Sequence, residues 1–468
     1  MAPMNRINNI FKDQQQYQLI LRQSNAAQRI ELLRKLKNAI LEKEDAIFHA
    51  LYKDLRKSRF EASVTELYFT YAEIDFAIKN LRNWMSPKRV GKTFSNLFAK
   101  NRIFYEPKGV CLIIAPWNYP FQLVMSPLVS AIAAGNCVIV KPSEISSNTS
   151  KIISSILLDT FEEQHIACFE GNSDVSQKLL ALPFDHIFFT GSTEIGKSVM
   201  AAAAKNLTSV TLELGGKSPA IIDQQVDLAK AAKKIAWGKL VNAGQTCIAP
   251  DYVLIHEAQA DEFIGLYKQF ASEMYFKDKE TINQAAYGKI VSRKHFERLS
   301  DLITDAIDKG ARINWGGKMD DQAQTIYPAI LTKVPATARI MEEEIFGPIL
   351  PIVTYANLEE AIAFVNGKSK PLALYIFSKS DRNTKSIIKL TSAGGTCVND
   401  VLVHIANPKL PFGGVNHSGM GSSHGVFGFK NFSHERSVVT QRSLDFNKLV
   451  YPPYDTKNWV LNLLKRIM

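Results

Sequence analysis

Short, wholly apolar runs that alternate with helical stretches constrain this chain most. Val110–Ala115 and Cys137–Val140 have no polar residue to turn towards water. Ala167–Glu170, His186–Thr190 and Ser209–Leu212 follow in the same manner, separated by helical segments at about 121–134, 147–161, 173–181 and 194–205. Strands of this kind are buried on both faces, and alternation with helices implies a parallel, doubly wound sheet. In such sheets ligands sit beyond the carboxyl ends of the strands. A second series starts near 217, with helices at about 226–241 and 259–275 and strands at 252–255, 349–353, 373–377 and 395–399. Ahead of both series, Ile30, Leu33, Leu36, Ile40, Ile47, Leu51 and Leu55 recur at helical spacing, and a further helix runs from 61 to 84 until Ser86-Pro87 ends it. The polar run from Asp13 to Gln18 reads as a solvated helix start. With 468 residues, two α/β domains meeting near Glu213–Lys217 are expected.

Charge and cysteine usage exclude several classes. The net charge is +11, and no acidic residue lies between Asp75 and Glu106, where Lys79, Arg82, Lys88, Arg89, Lys92, Lys100 and Arg102 occur. No nucleic-acid motif accompanies them, so an exposed basic ribbon is the plainer reading and no nucleic-acid partner is expected. The five cysteines are scattered and form no Cys-x-x-Cys pair, which argues against a disulfide framework or structural zinc. The histidines form no His-Glu-x-x-His, and no metal is expected. Free thiols, a start without the apolar core of a signal peptide and the lack of a run near 18 apolar residues point to a cytoplasmic protein.

Chemistry concentrates after the strands. Cys247 lies in Asn242-Ala243-Gly244-Gln245-Thr246-Cys247, and Glu213 precedes Gly215-Gly216. A thiol nucleophile with a carboxylate base across a crevice suits covalent catalysis, although a lone cysteine is usually a small buried hydrophobe. Asn118, held between Pro116-Trp117 and Tyr119-Pro120, could donate to an oxyanion or cap the next helix. Lys141 and Glu144 follow a strand, where they could bind ribose hydroxyls or form a solvated pair. Thr190-Gly191-Ser192 turns from strand to helix, a place suited to phosphate, but only Gly191 and Gly196 are present and the sequence is not Gly-x-Gly-x-x-Gly. Glu342–Pro348 carries carboxylates beside Phe346, and could meet a ribose and a flat ring or simply begin a helix.

Taken together, Pro116–Phe121, Lys141–Glu144, Phe189–Lys197, Leu212–Pro219, Gly244–Cys247, Glu343–Pro348 and Leu410–Gly414 resemble the aldehyde dehydrogenase superfamily, in its order and over about residues 20–455. Gly244–Tyr252, Val398-Asn399-Asp400 and Ser418–Gly421 look most like its class 3 branch, which includes fatty aldehyde dehydrogenases. The resemblance implies a modified Rossmann cofactor domain (1–85 and 103–215), a catalytic domain (216–415), a small β oligomerisation arm (86–102 and 416–445) and a tail (446–468). It implies Cys247 as nucleophile, Glu213 as base, and Asn118 with the Cys247 N–H as oxyanion hole. Lys141 and Glu144 would hold the adenosine ribose, Gly191 and Ser192 the pyrophosphate, Glu344 the nicotinamide ribose, with Phe346 beside it. Aliphatic or aromatic aldehydes would be oxidised to acids with NAD, or with NADP, in a homodimer. The thiol would ionise near neutral pH through a helix N-terminus or the nicotinamide's positive charge. Transfer of the acyl group to coenzyme A, or a non-catalytic binding role, are the alternatives. Asn416-His417 and Gly425–Gly428 depart from the class 3 pattern, which bears on substrate choice. In the tail, Trp459, Val460, Leu463, Leu464 and Ile467 share one helical face, too short to span a membrane but able to lie on one or to dock on the partner subunit.

Overall fold

The computed structural model of the protein describes residues 3–93, 96, 98–278, 280–441, 448 and 451–467. The first apolar series forms a six-stranded sheet in the order Gly419–Met420, Ser209–Glu213, His186–Thr190, Val110–Ile114, Cys137–Lys141, Ile166–Cys168. All pairings are parallel except that of Gly419–Met420, which lies antiparallel along Leu212-Glu213. Successive residues point to opposite faces, and both faces are dry. Cys111, Ile113, Val138 and Val140 enter one core with the helices Ala26–Glu42 and Gln122–Ala134, whereas Val110, Leu112, Ile114, Cys137 and Ile139 enter another beneath Pro3–Leu21. That two-sided burial is why these runs contain no polar residue.

The polar stretch Asp13–Gln18 lies inside the helix Pro3–Leu21 and does not start it. Gln14 is fully buried and donates to the carbonyls of Val138 (3.1 Å) and Glu163 (3.0 Å), so two backbone acceptors are satisfied by a side chain that composition alone assigns to solvent.

Between Glu213 and Pro219 the chain crosses to a seven-stranded sheet in the order Arg312–Gly316, Ala329–Thr332, Ile349–Tyr355, Tyr252–His256, Pro219–Ile222, Ala373–Phe377, Gly395–Val398. Only Arg312–Gly316 is antiparallel. The strand Pro219–Ile222 and the helices Arg293–Asp308, Leu358–Asn366 and Asp381–Leu390 add to the expected elements.

The basic stretch becomes an antiparallel ribbon. Lys88–Arg89 pairs with Lys100–Pro107, which pairs with Ser433–Thr440 along its whole length. Among the described residues of 416–445, only Ser433–Thr440 joins this ribbon. Gly419–Met420 widens the first sheet, and the helix Gly425–Asn431 sends Phe429 into that sheet's core. The tail helix Asn458–Ile467 has Val460 buried but Trp459 and Leu461 exposed. The side chains of Leu463, Leu464 and Ile467 lie outside the described residues. Among the described residues, no helix is long and apolar enough to cross a membrane.

Candidate active site

Strand register places the chemistry on one rim. Ile114 lies opposite both Lys141 and Phe189, and Thr190 opposite Glu213. Pro116–Phe121, Lys141, Gly191-Ser192 and Glu213-Leu214 therefore emerge side by side at the carboxyl edge of the first sheet. Gly191 is required there, because a Cβ would come within 2.5 Å of the Phe189 ring. Ser192 then caps the helix Thr193–Ala204. Lys141 is buried and donates to Glu144 Oε2 at 2.6 Å, while Glu144 reaches solvent.

The nucleophile sits on a turn that needs unusual backbone. After the helix Leu228–Leu240, Asn242, Ala243 and Gly244 take φ values of 52°, 53° and 77°. Left-handed residues in succession are costly unless their surroundings hold them. Here Glu61 Oε1 accepts from Asn242 N (2.9 Å), and Gln245 donates to the carbonyls of Asn242 and Lys289 (both 3.0 Å) while accepting from Val291 N (3.0 Å). A Cβ on Gly244 would overlap the Gly347 carbonyl, which ties this turn to the loop that carries Glu344. Cys247 follows on a turn; no helix begins there, so the expected help from a helix N-terminus is absent.

Asn118 Nδ2 donates to Gln245 O at 3.0 Å and caps no helix. Its backbone carbonyl accepts from Asn242 Nδ2 (2.8 Å) and from Lys57 Nζ (2.9 Å). Lys57 forms a fully buried pair with Glu66 at 2.5 Å, and the other Glu66 oxygen accepts from the backbone N–H of Phe121 and Gln122, both at 3.0 Å. Every pole of the pair is thus spent on fixing the Asn118 loop, the condition under which a buried ion pair is tolerable. A second buried pair, Lys217–Asp251, does the same for Glu344. Lys217 donates to Ile340 O and Glu343 O, and Asp251 accepts from Ile345 N at 2.9 Å. A Cβ on Gly215 would overlap the Glu344 carboxylate. Phe346 meets Trp117 edge-on at 5.3 Å, and Trp117 rests on His295 at 4.7 Å.

Two cavities, of about 330 and 230 Å³, meet at Cys247. The larger is mixed in character and has Asn118, Gly191, Ser192, Arg298, Glu344 and Phe346 on its wall. The smaller is apolar and includes Val64, Phe69, Trp237, Leu402 and Phe412. Cys247, Glu213, Thr190, Leu123 and Leu214 line both. Lys141 and Glu144 line neither, and stand further along the strand-end rim.

Burial dominates the electrostatics. It lifts the Glu213 carboxyl to about 8, opposed only by the Ser423 hydroxyl, which donates to Oε1 at 2.9 Å. Glu344 is likewise lifted to about 8, by burial and then by Asp251. The Cys247 thiol is pushed up to about 12, by burial first and then by Glu344 and Glu213. A positive charge nearby, or protonation of those carboxylates, would bring it down. Glu213 Oε2 and Thr190 Oγ1 are buried without a hydrogen-bond partner among the described residues.

Cys247, Glu213, Asn118, Gly191, Ser192, Glu344 and Phe346 therefore share one connected space, and Lys141 and Glu144 lie beyond it. Sequence reasoning passed over Ser423, His295, Arg298 and the Lys57–Glu66 pair. The only local signal for the pair was two opposite charges, Lys57 in a short inter-helix loop and Glu66 in the helical stretch after it, which usually mean a solvated face.

The family model described as "Aldehyde dehydrogenase family" matches residues 2–438. The 4,4'-diaponeurosporen-aldehyde dehydrogenase of Staphylococcus aureus is 44% identical over 97% of this chain and 98% of its own. The mouse protein described as "Aldehyde dehydrogenase, dimeric NADP-preferring" is 43% identical over 92% of this chain and 94% of its own. A solved structure of Staphylococcus aureus AldH in a substrate-bound state superposes with a TM-score of 0.94 at 43% identity, covering 98% of this chain and 99% of that one. The chain belongs to the aldehyde dehydrogenase family, whose enzymes oxidise aldehydes with NAD or NADP.

Proposed function

We propose that this enzyme oxidises aliphatic or aromatic aldehydes to carboxylic acids through a thioester on Cys247. One observation carries the reading: Cys247 and Glu213 lie on the wall common to an apolar cavity and a mixed one. The apolar side suits the aldehyde's hydrocarbon part; the Staphylococcus aureus relative is described as acting on 4,4'-diaponeurosporen-aldehyde. The mixed side fits a dinucleotide. Gly191 keeps a Cβ out of the strand-to-helix turn, Thr190 Oγ1 is an orphaned buried hydroxyl, and the Glu344 carboxylate is held against Gly215. Gly191 and Ser192 would lie at the pyrophosphate, Glu344 at the nicotinamide ribose with Phe346 beside it, and Lys141 and Glu144 at the adenosine ribose. Glu144 repels a 2′-phosphate, so NAD is preferred and NADP is used less well.

The Cys247 thiolate adds to the aldehyde carbon, and the new alkoxide receives hydrogen bonds from the Asn118 amide and the Cys247 N–H. When bound, the dinucleotide supplies an acceptor for the hydride that leaves this carbon, so that a thioester remains. Glu213 Oε2, unpartnered and on the shared wall, takes a proton from water. The hydroxide adds to the thioester carbon, the C–S bond breaks, and Cys247 leaves as thiolate. Since Glu213 must be ionised to accept that proton and titrates at about 8, deacylation speeds up as pH rises through that value. In solution the enzyme is a homodimer, in keeping with the mouse relative, which is described as dimeric. Its contact uses the ribbon strand Ser433–Thr440, paired on one side only among the described residues. The tail helix, with Trp459 and Leu461 exposed, touches the partner subunit or lies on a membrane surface.

The test is quenched turnover followed by intact-protein mass spectrometry. Glu213→Gln should accumulate an acyl adduct on Cys247 and slow steady-state turnover about 10²- to 10⁴-fold while a burst of reduced dinucleotide persists. No adduct in either protein would overturn the covalent route.

A further inference from the structure

The loop between Phe412 and the helix Gly425–Asn431 comes back to the base from far along the chain. Ser423 is buried and its backbone is clamped. Its N–H donates to Phe412 O at 2.7 Å, and Phe412 N donates back to Ser423 O at 3.4 Å. The hydroxyl is therefore presented from a fixed point, with two acceptors in reach: Glu213 Oε1 at 2.9 Å and Phe412 O at 3.3 Å. One hydrogen can serve only one of them at a time. Glu213 Oε2 has no partner.

We propose that Ser423 is a positioning residue for the Glu213 base, holding Oε1 so that Oε2 is the oxygen offered to water, and passing its hydrogen bond to Phe412 O when Glu213 is protonated. The inference rests on the reading of Glu213 as the base. While Glu213 is ionised, the serine hydroxyl donates to Oε1. Once Oε2 has taken the proton from water, Oε1 is a poorer acceptor, and the serine hydrogen is free to swing to the Phe412 carbonyl. No electron or heavy atom moves in this exchange, and the proton count is that of the deacylation step alone.

Among the described residues, no other side chain donates to Glu213. Thr190, opposite it on the neighbouring strand, has a buried hydroxyl that makes no hydrogen bond to it or to any other described residue. Gly419-Met420, on the other side, carries no titratable group. The two cavities bring Cys247, Glu344, His295 and Arg298 on one side, and Tyr119 and His424 on the other, with Glu73 behind His424 at 3.8 Å. None of these donates to Glu213 in the structure, and the one hydrogen bond that favours the carboxylate form comes from Ser423.

The experiment is the pH profile of burst and steady-state phases in the full-length enzyme with its aldehyde and dinucleotide. Ser423→Ala should leave the burst unchanged and move the deacylation limb about one pH unit upward, roughly tenfold slower turnover at pH 7 that recovers at high pH. Ser423→Thr should restore the wild-type limb. A Ser423→Ala limb superimposed on that of the wild type overturns the proposal. If Ser423→Ala yields no burst, Ser423→Cys serves instead: its weaker donor should shift the limb in the same direction, and an unshifted limb overturns the proposal equally. Glu213→Gln separates the two readings. If it slows deacylation while the serine variants do nothing, only the positioning role fails; if it leaves deacylation untouched, the base assignment fails and takes this inference with it.

Discussion

The two cavities at Cys247 are built differently. The mixed one is assembled from short motifs, each fixed where a strand ends or a turn takes left-handed backbone, and two of them, the Asn118 and Glu344 loops, are braced by buried ion pairs. The apolar one collects Val64, Phe69, Trp237, Leu402 and Phe412 from four separate stretches. The difference follows from what each side must do. Thiol, amide and carboxylate have to keep their positions to within fractions of an ångström for any substrate. The hydrocarbon part needs only a surface that excludes water, which many side chains can provide. Changes on the mixed side should therefore be severe and general. Changes on the apolar side should be mild and dependent on the substrate.

The severest test lies at the junction. Cys247→Ser should reduce oxidation of every aldehyde by at least about 10³-fold, since a serine hydroxyl is far harder to ionise than a thiol. Dinucleotide binding, followed by titration of protein fluorescence, should persist. Residual turnover that varied from one aldehyde to another would blur the contrast, because the junction would then belong to the substrate side. The next effect falls on stability. Glu66→Gln leaves Lys57 as a charge without its anionic partner in a dry interior, and the expected loss is about 3–5 kcal/mol. Thermal unfolding monitored by circular dichroism reads it directly. A melting temperature equal to that of the wild type would mean that the Asn118 loop is held by packing after all.

The same contrast governs how much could be read from sequence. Strands buried on both faces have to be apolar throughout, so their ends were visible, and with them Lys141, Gly191, Ser192 and Glu213. Cys247 and Asn118 were visible because glycine, proline and aromatic residues surround them. Glu344 and Phe346 were located by family resemblance, since an acidic run before a turn is ambiguous by itself. The braces were hidden. Ser423 is 210 positions from Glu213 and Lys57 is 61 from Asn118, and sequence spacing carries no trace of a contact made by folding. Gln14 misled for the same reason: Asp13, Gln15 and Gln16 around it face solvent while it turns inward to the Val138 carbonyl. The strand Pro219–Ile222 was missed because it is short and opens with a residue that strands usually avoid.

The mildest expected effect is also the one that examines the apolar side most closely. Burying one methylene is worth about 0.8 kcal/mol, so kcat/KM for straight-chain aldehydes should rise roughly fourfold per carbon while the chain still lies inside the cavity, then level off. Trp237 stands on its wall at the end of the helix Leu228–Leu240 and is partly exposed. Trp237→Ala should remove contact surface from the longer chains only. It should lower kcat/KM for those aldehydes by about 10- to 200-fold and leave the shortest nearly unchanged. Because no polar group of the mixed cavity is altered, the loss should appear in KM, with the burst and the limb near pH 8 as in the wild type. An equal loss for all chain lengths would place Trp237 in the support of the Cys247 turn, which follows its helix directly, and would move the dividing line between the two cavities outward by one side chain.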